Sequence, residues 1–179
     1  MTDQDQLAAL RERLVGRRLN LVFVNGATAN DDDVLPQVLV ETFTEVMVTD
    51  ALSPMRVIET MHDLVPGTGT LGVMSSTQGS VSMKVNDGHE VYRASKSALN
   101  QLMRSCAARH GDDSRTLLLV VLGWVRTGLG GDGAALSIEE SVSGVVDTIT
   151  GHEQEGGLHF VDYQDRSGPG DQRALESRR

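Results

Sequence analysis

A tyrosine and a lysine stand four residues apart in Tyr92-Arg93-Ala94-Ser95-Lys96. On a helix that spacing puts both on one face. A phenol with a reference pKa of about 10 is a weak base at neutral pH, but an ammonium within a few ångströms favours the phenolate and lowers that value. The pair could move a proton to or from a substrate oxygen, although the same spacing occurs on many solvated helix faces. Two flanking strings give it a setting. Upstream, Gly72-Val73-Met74-Ser75-Ser76-Thr77-Gln78-Gly79-Ser80 brings hydroxyls to the end of an apolar run; downstream, Gly123-Trp124-Val125-Arg126-Thr127 ends the next one. Trp124 and Arg126 thus fall beyond the carboxyl end of a strand, where open parallel sheets bind ligands.

Asp50 lies on an apolar stripe, three or four residues after Val46 and Met47. A carboxylate there must be paired with a lysine or a backbone amide, protonated, or facing a polar cavity, because an unpaired buried charge is costly. Gly67-Thr68-Gly69-Thr70-Leu71-Gly72 matches G-x-G-x-x-G letter for letter. It follows a helical pattern and leads into a strand, the reverse of the dinucleotide fingerprint's context, and reads as a helix-to-strand loop. His89 could enter the site from three residues before Tyr92, or stay in a solvated loop. His62, His110, His152 and His159 share no spacing pattern. A lone Cys106 makes no intramolecular disulfide and no Cys/His spacing resembles a zinc site, so no metal is expected and the cysteine reads as a small buried apolar residue.

The elements that position these residues alternate. Helical spacing of Leu7, Leu10 and Leu14 predicts a helix over 3–15, and the apolar run 19–24 predicts a strand buried on both faces. A long helix follows over 38–65, bent if anywhere at Pro54, then a strand over 71–75 and a second long helix over 91–110 stopped by Gly111. Residues 117–122 form a buried strand, 123–133 a Gly-rich connection, 138–149 a helix that Ser137 can cap, and 158–162 a last strand. The expected fold is α/β, with a mostly parallel sheet of about four strands flanked by helices. Residues 1–163 form this domain and 164–179 a polar tail. The 25 acidic against 16 basic side chains give a net charge of −9, and with Asp31-Asp32-Asp33 they repel phosphate backbones; nucleic acid is not an expected partner. The longest apolar stretch, Leu117 to Leu122, is far short of the roughly 18 to 20 residues that span a bilayer, and nothing at Met1 resembles a signal peptide. No membrane partner is expected, and the location expected is the cytoplasm.

The strings Tyr-Arg-Ala-Ser-Lys-Ser-Ala-Leu-Asn and Ser-Ser-x-x-Gly-Ser, set after strands in this order, resemble the short-chain dehydrogenase/reductase family, in particular its C-factor or sniffer-type branch. The resemblance runs from about Met1 to Tyr163 and implies a Rossmann-like fold. It also implies that Ser76 hydrogen-bonds a substrate carbonyl, that Tyr92 gives or takes the proton, and that Lys96 lowers the tyrosine pKa and holds a nicotinamide ribose. Ser75 is the fallback for Ser76, since one step of strand register exchanges their faces. Thr127 corresponds to a contact with the nicotinamide amide, and Trp124 is a candidate substrate contact.

Departures from the family pattern surround the cofactor pocket. Asn25-Gly26-Ala27 stands for the usual Asn-Ala-Gly, and Leu122-Gly123 for Pro-Gly, leaving Asn25 and Gly123 as vestigial cofactor contacts. Asp50 stands where the family has an asparagine, and could reach Lys96 to form an Asp, Lys, Tyr relay. The family's first three strands and their Gly-rich phosphate-binding turn are not found, so the fold expected is a truncated Rossmann-like domain. The chain alone is expected to use no cofactor, with NAD(P) bound only if a missing half is supplied. Strand 19–24 then becomes an apolar edge that a second copy or a full-length relative would cover, giving a homodimer or a mixed complex. Three functions follow as expectations: a cofactor-independent acid–base enzyme acting on a small carbonyl compound by enolisation, dehydration or cyclisation; a non-catalytic partner or regulatory subunit of a dehydrogenase; or an NAD(P)-dependent carbonyl reductase completed by another chain or by upstream sequence.

Overall fold

The computed structural model describes residues 2–29, 34–83 and 87–168. The Asp31-Asp32-Asp33 run and most of the expected tail, 169–179, lie outside the described residues. Four strands, β1 (Leu21–Val24), β2 (Thr70–Ser75), β3 (Thr116–Val121) and β4 (Gly157–Asp162), form one sheet in the order β1-β2-β3-β4, every pair parallel. Strands β2 and β3 are buried along their whole length, which is why their apolar runs are continuous rather than alternating.

Alternation still sorts side chains between the two faces. Leu71, Val73, Leu117 and Leu119 join Ala51, Ile58, Leu99 and Met103 in the larger core, while Met74, Leu118 and Val120 join Val145, Ile149 and Val161 in the smaller one. Helices α3 (Ser53–Met61) and α4 (Glu90–Arg109) therefore cover one face, and α5 (Ile138–Gly151) the other. Outside α3 packs α1 (Gln4–Leu14), capped by Asp3, whose carboxylate accepts the amides of Asp5 and Gln6. A reciprocal capping box closes the start of α5: Ser137 Oγ accepts the Glu140 amide at 3.1 Å, and Glu140 accepts the Ser137 amide at 2.9 Å.

The long helix expected over 38–65 is interrupted. It runs as α2 (Val40–Met47), one π turn (Val48–Leu52), α3, and a short 3-10 turn (His62–Leu64). Pro54 sits in the first turn of α3 and supplies no N–H, and the widened turn just before it absorbs the mismatch, with the Ser53 amide bonding back to Val48. Asp50 lies inside that π turn.

Candidate active site

All strands run in one direction, so Asn25, Ser76 and Gly123 collect at a single edge of the sheet. Ser75 has the parity of Leu71 and Val73 and faces α4, where it is buried and donates to Asn100 Oδ1 at 2.6 Å. The fallback role for Ser75 is thereby corrected: its hydroxyl is committed to the core. Ser76, one residue later, leaves the strand and caps the 3-10 turn Thr77–Gly79 by accepting the Gln78 amide at 3.1 Å. That acceptance leaves its proton for another oxygen, and it lies in hydrogen-bonding reach of the Tyr92 phenol. Gly79 makes the approach possible, because a Cβ there would stand 2.7 Å from the Lys96 backbone. The Ser97 hydroxyl then fastens the turn to α4 by donating to Gly79 O at 2.9 Å.

Helix α4 places Tyr92 and Lys96 on one face, with the Lys96 ammonium nitrogen 5.6 Å from the centre of the Tyr92 ring. Lys96 is 1% exposed and donates to the Met74 carbonyl at 3.2 Å. Burial lowers its pKa, opposed by the charge of Asp50. The Tyr92 pKa is not lowered, as the spacing suggests, but raised: burial dominates, the negative charge of Asp50 adds to it, and the hydrogen bond from Ser76 only opposes. At neutral pH the phenol therefore keeps its proton and acts as a donor.

Asp50 is fully buried. Its Oδ1 accepts the Thr28 amide at 2.7 Å, and its Oδ2 accepts the Ser95 hydroxyl at 3.2 Å. Burial raises its pKa against the pull of Thr28, Lys96 and Ser95. The direct reach from Asp50 to Lys96 that the sequence suggests is replaced by this pairing, and the two residues act on each other through space.

The remaining candidates lie in loops. Trp124 is 60% exposed and its indole N–H donates to Gly130 O at 2.8 Å, while the Thr127 hydroxyl accepts the Gly130 amide at 3.0 Å. Both spend their polar atoms inside the 123–133 connection. Asn25 is exposed just after β1, and Gly123 turns the chain at φ +81°, where a Cβ would press on Leu136. Sequence reasoning missed Thr28, Ser95 and Asn100. Asn100 had a signal in its spacing, as the third member of the Tyr92, Lys96, Asn100 row on α4. Thr28 had none, because it contributes a backbone amide.

A parallel sheet with a Ser, Tyr and Lys gathered at its carboxyl edge is the frame of a reductase-type Rossmann domain, and the comparisons agree. A family profile described as Enoyl-(Acyl carrier protein) reductase matches residues 1–145, and the chain belongs to the short-chain dehydrogenase/reductase family. Among curated relatives, the C-signal of Myxococcus xanthus is 33% identical over 151 residues, 82% of this chain and 87% of that one. A protein from Burkholderia multivorans described as a short-chain dehydrogenase/reductase with bound NADP superposes with a TM-score of 0.91 at 46% identity, over 93% of this chain and 73% of that one. A carbonyl reductase from Pseudomonas aeruginosa in complex with NADP superposes at 0.85 and 31% identity, over 94% of this chain and 74% of that one.

The relatives' NADP tests the site's chemistry. A dinucleotide needs a helix N-terminus free of anions to receive its diphosphate. Here α1 begins with Asp3 and Asp5, α2 carries Glu41 in its first turn, α4 Glu90, and α5 Glu139 and Glu140. The literal G-x-G-x-x-G ends within β2, where Gly72 makes room for the Phe23 ring at 2.6 Å from a built Cβ. Among the described residues the hydroxyl, phenol and ammonium of a nicotinamide end are present, and the diphosphate cradle does not fit.

Proposed function

We propose that this protein is an acid–base enzyme of the short-chain dehydrogenase/reductase type that promotes enolisation of a small carbonyl compound, and dehydration or cyclisation by way of the enol, without a nicotinamide cofactor of its own. The observation that carries the reading is the gathering of Ser76, at the carboxyl end of β2, with Tyr92 and the buried Lys96 on one face of α4, around a phenol that keeps its proton. Tyr92, with the Ser76 hydroxyl beside it, can donate to a carbonyl oxygen and stabilise the negative charge that grows as an α-proton leaves to water. Tyr92 then gives its proton to that oxygen. Lys96, held by Met74 and facing the ring, stabilises the phenolate left behind, and Asp50 balances Lys96. The acidic helix starts support the absence of dinucleotide chemistry in the chain alone. The test is deuterium uptake at the α-carbons of cyclohexanone in D2O, followed by NMR. The native chain accelerates exchange, and Tyr92→Phe lowers the rate by about 10²- to 10⁴-fold, the usual worth of a positioned acid. Full exchange activity in Tyr92→Phe overturns the proposal, and tight NADPH binding in calorimetry moves the reading to a carbonyl reductase.

One observation favours a second reading. The C-signal relative and this chain match over most of both lengths, and β1 pairs only with β2 among the described residues, with Leu21 exposed beside the free edge. A parallel strand with free N–H and C=O groups invites another chain. In this reading the protein is a non-catalytic partner that pairs through β1 with its own copy or a full-length relative. Native mass spectrometry would then show a dimer that Leu21→Lys dissociates, with Tyr92→Phe indistinguishable from the native chain.

A further inference from the structure

At the sheet edge opposite Tyr92, the last turns of α3 and α4 bring together Glu59, His62, Cys106, His110 and Asp113. Two overlapping triads share His110: Glu59 with Cys106, and His62 with Asp113, the ligand atoms of each lying within 4.8 Å of one another. We propose that His62, His110 and Asp113 form a binding site for a divalent metal ion of the zinc type, with water in the remaining position.

Donor atoms about 2.1 Å from zinc at tetrahedral angles stand about 3.4 Å apart. Here His62 Nε2 lies 2.9 Å from Asp113 Oδ2, and the ligand atoms of His62, His110 and Asp113 all lie within 4.8 Å of one another. The two imidazoles stack at 4.0 Å with planes 24° apart, so one ring turns for both in-plane lone pairs to reach one ion. His62 Nε2 is buried and, despite its closeness to Asp113, off the line of a hydrogen bond. A nitrogen so placed has a lone pair to give. The other histidine pair differs in this respect: His152 spends Nδ1 on Glu155 and Nε2 on Asp165, and His159 Nε2 contacts Gly156 O.

Charge sets the terms of binding. Arg109 pairs with Glu59 and Arg115 with Asp113, so with neutral imidazoles the cluster is balanced before an ion arrives. Arg115 Nη1 pairs with Asp113 Oδ2, the oxygen nearest His62, and shifts off it as the ion enters, keeping its contact with the Val65 carbonyl. Asp113 Oδ1 accepts the Arg115 amide at 3.0 Å, which holds the carboxylate in place. Bound metal would tie α3, α4 and the turn into β3 together at the end remote from the reacting groups, with water in the fourth position.

The test uses the full chain, stripped with EDTA and desalted, titrated with Zn²⁺ by calorimetry and with Co²⁺ by its visible absorption. One equivalent should bind with low-micromolar affinity or better and raise Tm. His110→Ala and Asp113→Asn should each weaken binding at least about tenfold, with far-UV circular dichroism reporting that each variant is folded. His152→Ala should bind as the native chain does. Absence of stoichiometric binding overturns the proposal, as does binding that survives both ligand variants or is lost with His152→Ala.

Discussion

Helix α4 starts in one polar cluster and ends in another, and the two are built by different means. At its start, Tyr92, Lys96 and Asn100 recur every four residues on one face, and the neighbouring residue Ser95 bonds Asp50. Four of these five come from α4 itself, and the four-residue spacing marks Tyr92, Lys96 and Asn100. At its end, Cys106 and His110 meet Glu59, His62 and Asp113, which come from two other segments. The first cluster has its charges buried and displaced from their usual pKa values. The second is partly buried, and its carboxylates are paired with arginines. Burial on the reacting side makes the phenol hold its proton; pairing on the other side makes a binding surface. If function resides at the start of α4, changes there should alter rate more than stability.

The largest effect expected is Tyr92→Phe, a loss of about 10²- to 10⁴-fold in α-proton exchange with Tm nearly unchanged, read by NMR and by thermal unfolding. The opposite pattern, lost stability with retained exchange, would put the first cluster in the fold rather than the chemistry. Ser75→Ala comes next and should act the other way. It leaves Asn100 Oδ1 buried without its donor, a cost of about 1–3 kcal/mol, visible as a lower urea midpoint with little change in exchange.

The same contrast marks how far the sequence could be read. Apolar runs located all four strands to within a couple of residues; β2 and β3 are buried throughout and show no polar alternation, whereas β1, expected to be buried on both faces, is an edge strand with Leu21 exposed, and β4 is only partly buried. The spacing of Tyr92 and Lys96 likewise carried the candidate site, since both lie on one helix. The π turn at Val48–Leu52 left no trace in hydrophobic periodicity, for its five residues shift the pattern by only a fraction of a turn. The direction of the Tyr92 shift was hidden for a related reason: spacing reports the lysine, but only the packed structure reports burial and the charge of Asp50. His62 and His110 are 48 positions apart in the chain, and no local pattern could have joined them.

Asp50 sharpens the comparison through pH. Its folded pKa lies above the ordinary 3.8 because burial disfavours the charge, so between those two values the folded chain binds more protons than the unfolded one. Stability therefore falls as pH rises through that window. Asp50→Asn should remove this dependence, seen as a flatter plot of Tm against pH from acid to neutral conditions. A variant whose plot follows the native chain's would mean that Asp50 does not titrate in the fold.

The smallest effect belongs to His152. Burial pulls its pKa down, but Asp165 and Glu155, each bonded to one ring nitrogen, raise it above the usual 6.5. With both nitrogens facing carboxylates, the imidazolium is the favoured form. Its stabilisation is full below 6.5 and is lost as pH rises through the raised value. The two carboxylates are half-exposed or more, so solvent and salt screen the effect. His152→Gln should slightly lower Tm at pH below 6.5 and converge with the native chain at pH above the raised value, where the imidazole has lost its proton. Added salt should shrink the difference. A gap that persists at high pH would show that His152, at the end of α5, contributes by packing rather than by charge.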